Sequence, residues 1–255
     1  MMTNTNYVNR SGPIAPLQNV RLFMELIEKL LNRAGHLPGL GVFYGFSGYG
    51  KTQSAIYGAN RAGAYYIECG ASWNVTSLVD NIYHELTGGR LKGTVAAKVR
   101  EIIAILGSDT RPLIIDEADF LIKRAMIDIV REIADRSSVP IVLIGEEQIP
   151  GKLIAFERAH NRVLEWQPAE PCNLDDAKAL AKLYVPLLDI DAALLKHVVD
   201  TTDGVTRRVC SNLERIREFA ATKNLKTVTA ADWGGQAFYT GTPKPRQRRH
   251  GRAAA

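Results

Sequence analysis

The chain has 255 residues, 46% hydrophobic and 23% charged, which is enough apolar content for a buried core and too much for a disordered tail. Its formal charge is +5, from 32 Lys and Arg against 27 Asp and Glu; five of those cations (Lys244, Arg246, Arg248, Arg249, Arg252) follow the last acid, Asp232, so the rest of the chain is neutral. No apolar run approaches the roughly 20 residues that span a bilayer. The N-terminus reads as polar and the three cysteines are widely separated, which excludes a zinc ribbon, argues against a disulfide scaffold, and fits a reducing cytoplasm.

Residues 18–33 carry Val20, Phe23, Ile27, Leu30 and Leu31 on one face of an amphipathic helix, stopped by Gly35 and Pro38. A short apolar strand is predicted at 41–44 and a helix at 51–62. A tyrosine-rich strand follows at 64–69, then helices at 75–86 and 94–106. Residues 113–116 read as a buried strand, 120–136 as one helix, 140–144 as a fourth strand, 152–160 as a helix and 162–166 as a fifth strand. Such alternation predicts an α/β fold with a five-stranded parallel sheet covered by helices. The pattern changes after Trp166. Residues 167–171, with two prolines, read as a linker. Helices at 173–185, 191–202 and 206–224 and a short one capped by Thr229 complete an all-helical lid, with no strand expected there. The expected units are an N-terminal segment and helix at 1–40, a core at 41–168, the lid at 169–240 and a basic tail at 241–255.

Between the first strand and its helix lies Gly45-Phe46-Ser47-Gly48-Tyr49-Gly50-Lys51-Thr52, a match to G-x-x-x-x-G-K-[ST]. Glycines let backbone N–H groups turn toward phosphate oxygens, and the helix N-terminus adds a positive dipole. Lys51 supplies a point charge to the β- and γ-phosphates of ATP, and the Thr52 hydroxyl ligates Mg2+. The second signal is Leu113-Ile114-Ile115-Asp116-Glu117. An acid at the carboxyl end of a buried parallel strand faces the crevice that holds the phosphate loop. Asp116 would hold Mg2+ through water, and Glu117 would polarise the attacking water. A carboxylate directly after the first acid suits an ATPase, and a nucleotide kinase has no need of it. Residues 116–119 also spell the helicase DEAD box, but such helicases need two sheet domains and this chain has room for one.

A one-sheet P-loop core with a helical lid suggests the AAA+ class, which needs two further arginines. Arg207, at the start of the third lid helix, suits the one that touches the γ-phosphate in its own subunit. Arg162, with Arg158 as second choice, is placed before the fifth strand to reach a neighbour's site.

Taken with the loop and the acid pair, the stretches Ile144-Gly145-Glu146-Glu147 and Phe156-Glu157-Arg158-Ala159-His160-Asn161-Arg162-Val163 resemble the AAA+ target-capture ATPases of Mu-like transposing phages, the Mu B protein family. The resemblance covers about residues 7–235. It implies ATP-dependent polymerisation on duplex DNA without sequence preference and delivery of that DNA to a transposase, in the cytoplasm of a bacterial host. Two features depart from it. Only about 40 residues precede the phosphate loop, where Mu B carries a helix-turn-helix domain. Glu146 and Glu147 stand where AAA+ proteins usually place Asn, Ser or Thr. DNA contact is therefore expected from Arg90, Lys92, Lys98 and Arg100, a basic acid-free stretch with three glycines, or from Lys244, Arg246, Arg248 and Arg249. The rival readings are a helicase- or clamp-loader-like AAA+ adaptor and a small-molecule nucleotide kinase.

Overall fold

The computed structural model describes residues 15–242. Five strands, β1 (Leu40–Tyr44), β2 (Tyr65–Glu68), β3 (Leu113–Asp116), β4 (Ile141–Gly145) and β5 (Val163–Pro168), form one sheet in the order β2-β3-β4-β1-β5. Every pairing is parallel. All strands therefore point their carboxyl ends at one edge, where the phosphate loop and the acid pair meet.

The strands have apolar residues on both faces, as a parallel sheet sandwiched by helices requires. The pleat divides them. Leu113, Ile115, Ile141, Leu143 and Val42 join the core under α3 (Val75–Thr87), α4 (Val95–Ser108) and α6 (Ile127–Ser137). Ile114, Val142, Ile144 and Phe43 face α1 (Gln18–Leu31) and α2 (Lys51–Ala62). Helix α1 buries Phe23, Leu26, Ile27 and Leu30 completely. Its approach is close because two glycines make room: a Cβ at Gly58 would lie 2.6 Å from the Phe23 ring, and one at Gly41 would lie 2.6 Å from Leu30.

The single helix expected over 120–136 is two: α5 (Asp119–Lys123) and α6, with Ala125 between them at φ 52°. In a straight helix, at about 100° per residue, Leu121 would point opposite to Val130. The break buries both. The expected helix over 152–160 likewise divides into α7 (Ile149–Leu153) and α8 (Glu157–His160). The linker begins later than expected, because Gln167 and Pro168 still pair with β1 as part of an edge strand.

The lid packs α9 (Leu174–Tyr184), α10 (Ala192–Thr201), α11 (Thr206–Lys223) and α12 (Ala230–Trp233) around Leu180, Leu194, Val198, Leu213, Ile216 and Trp233. Asn173 and Thr229 cap α9 and α12 with reciprocal capping boxes. A two-residue parallel pair, β6 (Asp189–Ile190) with β7 (Thr227–Val228), contradicts the expectation of a strand-free lid. Two residues are too short to show a period of two in sequence.

Candidate active site

Strand β1 ends at Tyr44 and α2 begins at Lys51, so Gly45–Gly50 must turn the chain within six residues. Gly48 and Gly50 hold φ of 88° and 81°, the left-handed region that an L side chain resists. At Gly48 space is a second constraint: a Cβ would meet Val205 of the lid at 2.8 Å, and the Gly48 carbonyl accepts the N–H of Arg207 at 3.1 Å. The loop is thus in contact with the start of α11. Lys51 Nζ donates to the carbonyls of Gly45 at 2.6 Å and Phe46 at 2.9 Å. Burial pulls the Lys51 ammonium pKa down, while Asp116, Glu117, Asp119 and Glu146 oppose that pull.

Asp116 is 3% exposed at the end of β3. One carboxylate oxygen accepts the Tyr66 hydroxyl at 3.0 Å and the other accepts the Glu117 N–H at 2.8 Å. Its orientation is therefore set by groups outside the phosphate loop. Glu117 has φ 52°, strained for a β-carbon-bearing residue, and the turn is tied down by the Ala118 N–H bonding to Ile144 at 2.8 Å. Burial pushes the Glu117 carboxyl up from the ordinary range; Asp116, Glu68 and Asp119 add to this and Lys51 opposes it.

Asp119, the last acid of the DEAD sequence, organises the turn after β4. It accepts the Glu146 N–H at 2.7 Å and pairs with Lys152 at 2.8 Å. A Cβ at Gly145 would collide with that carboxylate, so glycine is required there by close approach.

These parts line a cavity of about 560 Å³. Its polar wall has Ser47, Gly48, Gly50, Lys51, Thr52, Asp116, Glu117, Glu146, Thr206 and Arg207. The opposite wall, with Ala15, Leu17, Leu180, Tyr184 and Cys210, is largely apolar and comes from the entry to α1 and from the lid. A phosphate chain suits the first wall and a flat heterocycle the second. Thr52 and Asp116 share the cavity, and no cage of three His, Cys, Asp or Glu side chains occurs among the described residues. That donor set fits a hydrated Mg2+ held mainly by phosphates.

Residues 33–153 match a family model described as an AAA domain. No curated protein matches the chain. Three similar solved structures are the ORC2 protein of Aeropyrum pernix in ADPNP-ADP complexes, Cdc6p from Pyrobaculum aerophilum, and the A. pernix ORC1 protein in complex with DNA. The first is 14% identical at TM-score 0.63, covering 88% of this chain and 69% of that one. The second is 16% identical at TM-score 0.61, covering 89% and 67%. The third is 18% identical at TM-score 0.57, covering 90% and 66%. At these identities the likeness is one of fold.

The chain is an ATPase with the AAA+ fold.

Not every residue singled out from the sequence reaches the cavity of this ATPase. Phe46 and Tyr49 stack edge-on at 5.7 Å and line a separate groove, and Gly45 packs against Ala169. Arg162 donates to Asp135 at 2.9 Å, and its carbonyl accepts the N–H of Leu40 at the start of β1. That is the end of the sheet away from the phosphate loop, and Arg162 does not line the cavity of its own chain. Arg158 is exposed on α8. Of the four basic residues expected to face DNA, Arg90, Lys92 and Arg100 are exposed, but Lys98 is not. It is 7% exposed and ion-paired with Asp80, so α4 turns it against α3 and away from solvent. Lys244, Arg246, Arg248 and Arg249 lie outside the described residues.

Asn19 was not singled out from the sequence. It is 5% exposed, and its amide donates to the carbonyls of Tyr49 and Glu170, both at 2.8 Å. Its oxygen accepts the Glu170 N–H at 2.8 Å. One side chain thus links α1, the phosphate loop and the linker to the lid. Beside it, the Gln18 N–H bonds to Asp176 of α9 at 2.8 Å. A buried polar residue on the apolar face of α1 was the one available hint.

Proposed function

We propose that this ATPase binds duplex DNA without sequence preference, assembles on it when ATP is bound, and delivers it as target DNA to a transposase. The observation that carries the reading is the split of the catalytic set. Asp116, Glu117, Lys51 and Arg207 share one cavity, whereas Arg162 lies at the far end of the sheet and Arg158 on an exposed helix. A subunit with its arginines turned outward completes a neighbour's site, so hydrolysis is coupled to assembly. Glu117 acts as the base, Mg2+ is held by Thr52 and Asp116, and Arg207 reports the γ-phosphate to the lid through its contact with Gly48. Arg90, Lys92, Arg100 and the basic segment after residue 243 supply phosphate contacts. The Mu B-like stretch from Ile144 to Val163 favours target capture, and the protein works in the cytoplasm of its host.

A second reading, an adaptor of the replication-initiator kind, is favoured by the ORC and Cdc6 structures, one of them a DNA complex. The two readings share ATP-dependent DNA binding and differ in the partner. The test measures ATP hydrolysis and sedimentation of protein on random-sequence duplex, then adds a transposase of the Mu-like kind with its donor DNA. Stimulated strand transfer supports target capture. Hydrolysis and binding indifferent to duplex DNA would overturn both readings.

A further inference from the structure

A second groove, of about 460 Å³, lies beside the phosphate loop and takes no part in the nucleotide cavity's apolar wall. It is lined by Phe46, Ser47, Tyr49, Glu146, Glu147, Asp203, Val205 and Arg208, three acids against one arginine. Phe46 is 56% exposed, an unusual state for a phenylalanine. Asp203 and Arg208 approach only to 3.9 Å, and the Asp203 side chain is 85% exposed. The groove therefore has net negative charge and an uncovered aromatic ring.

The described chain ends near this groove, its last residues Tyr239, Thr240 and Thr242 lining a separate pocket with His197, Thr201 and Arg215. Buried Asn212 on α11 grips Tyr239 through two hydrogen bonds, of 3.0 Å and 2.8 Å, with the Tyr239 carbonyl and N–H. Two residues later, a Cβ at Gly241 would lie 3.2 Å from Arg208 Nε. From Asn212 to Arg208 is about one helical turn, roughly 6 Å, and two extended residues span roughly 6–7 Å. The chain thus runs along α11 toward the helix N-terminus, which touches the phosphate loop. Asp203 lies next to Arg208, its carboxylate 3.9 Å from that guanidinium, so the described end of the chain stands close to the groove. The residues that follow include Lys244, Arg246, Arg248, Arg249 and Arg252.

We propose that the basic segment 244–252 docks in the acidic groove of its own chain, its cations on Glu146, Glu147 and Asp203 and its aliphatic stems on Phe46. Duplex DNA competes for the same cations, so the groove keeps the segment off phosphates until a polyanion draws it away. This competition rests on the proposed DNA-binding role; the docking does not. Tethering makes the contact favourable although single exposed ion pairs are weak, because the local concentration of a segment starting at the groove's edge is in the millimolar range.

The test is carbodiimide coupling, which joins a carboxylate to an amine only when they touch. Lys244 is the one lysine of the segment. An equal mixture of 15N-labelled and unlabelled full-length ATPase is coupled at low salt and its peptides are analysed by mass spectrometry. The expected product joins Lys244 to Glu147, Glu146 or Asp203 within single-isotope pairs. It falls at least fivefold in a Glu147→Gln/Asp203→Asn variant, which should fold because asparagine accepts the left-handed backbone of Asp203 (φ 53°). Absence of the product, or an equal yield in the variant, overturns the proposal. Mixed-isotope pairs also overturn it, and identify the groove as an interface between copies. Added random-sequence duplex should lower the yield at least fivefold. A yield unaffected by duplex leaves docking in place and removes the DNA-binding role of the segment.

Discussion

Replacing Asn19 with alanine tests whether the latch between α1, the phosphate loop and the lid linker is functional. The substitution removes three hydrogen bonds, two to Glu170 and one to Tyr49. At a net ~0.5–1.5 kcal/mol each, the loss lies between about 1.5 and 4.5 kcal/mol. Tyr49 and Glu170 are only partly buried, so water can replace some bonds, and about 2 kcal/mol is expected. In a chain of this size that lowers Tm by roughly 4–8 °C. The Tyr49 bond holds the phosphate loop itself. Losing about 1 kcal/mol of loop order should raise the KM for ATP about fivefold, with kcat changed much less. Asn19→Asp keeps the acceptor and loses both donors, and it buries a carboxyl. Its pKa in the fold is raised above the unfolded value, so the variant loses stability as pH rises through that interval and is closest to the parent at low pH. Thermal unfolding and steady-state hydrolysis, measured together, read both effects. A fall in Tm with an unchanged KM would refute the role in the loop. An unchanged Tm would refute the premise that these bonds are made in preference to water.

Glu117→Gln should retain ATP binding and lower kcat by about 10²–10⁴, measured by nucleotide titration and phosphate release. The raised Glu117 pKa means that ionised Glu117 costs stability. The Gln variant should therefore have the higher Tm above that pKa, with the gain vanishing as pH falls below the ordinary carboxylate range. Arg162→Ala protein, inactive alone, should regain some hydrolysis when mixed with Glu117→Gln protein, because some interfaces then pair an intact base with an intact arginine; full activity of the isolated mutant at low concentration would shift the role to Arg158. Cys210 borders the nucleotide cavity and burial pushes its thiol up to about 11, so alkylation near pH 8 should be slow and further slowed by ATP, read by mass spectrometry. Deleting residues 243–255 should remove about 2–3 units from the log–log salt slope of DNA binding, at roughly 0.9 per phosphate contact, while leaving DNA-free hydrolysis intact.

The elements with the strongest local signals needed no tertiary context. Helix α2 and strand β3 have the bounds that the sequence predicts, because a glycine-rich turn before Lys51 and a proline before Leu113 are local punctuation. The same holds for the helix caps at Asn173 and Thr229, although the reciprocal bonds to Asp176 and Asp232 appear only in the structure. The phosphate loop and acid pair were legible for a related reason: phosphate and metal chemistry restricts residue type at fixed spacing. Other features depend on contacts between distant segments, which leave no periodic trace. The break at Ala125 follows from Leu121 and Val130 having to enter the same core. Lys98 reads as a free cation until α3 brings Asp80 beside it. The roles of Asp119 and Tyr66 depend on neighbouring strands of the sheet, and that of Asn19 on three segments up to 151 residues apart. The apolar wall of the nucleotide cavity is assembled from the entry to α1 and from lid helices far along the chain, so only the packed structure could bring Leu17 beside Leu180, Tyr184 and Cys210.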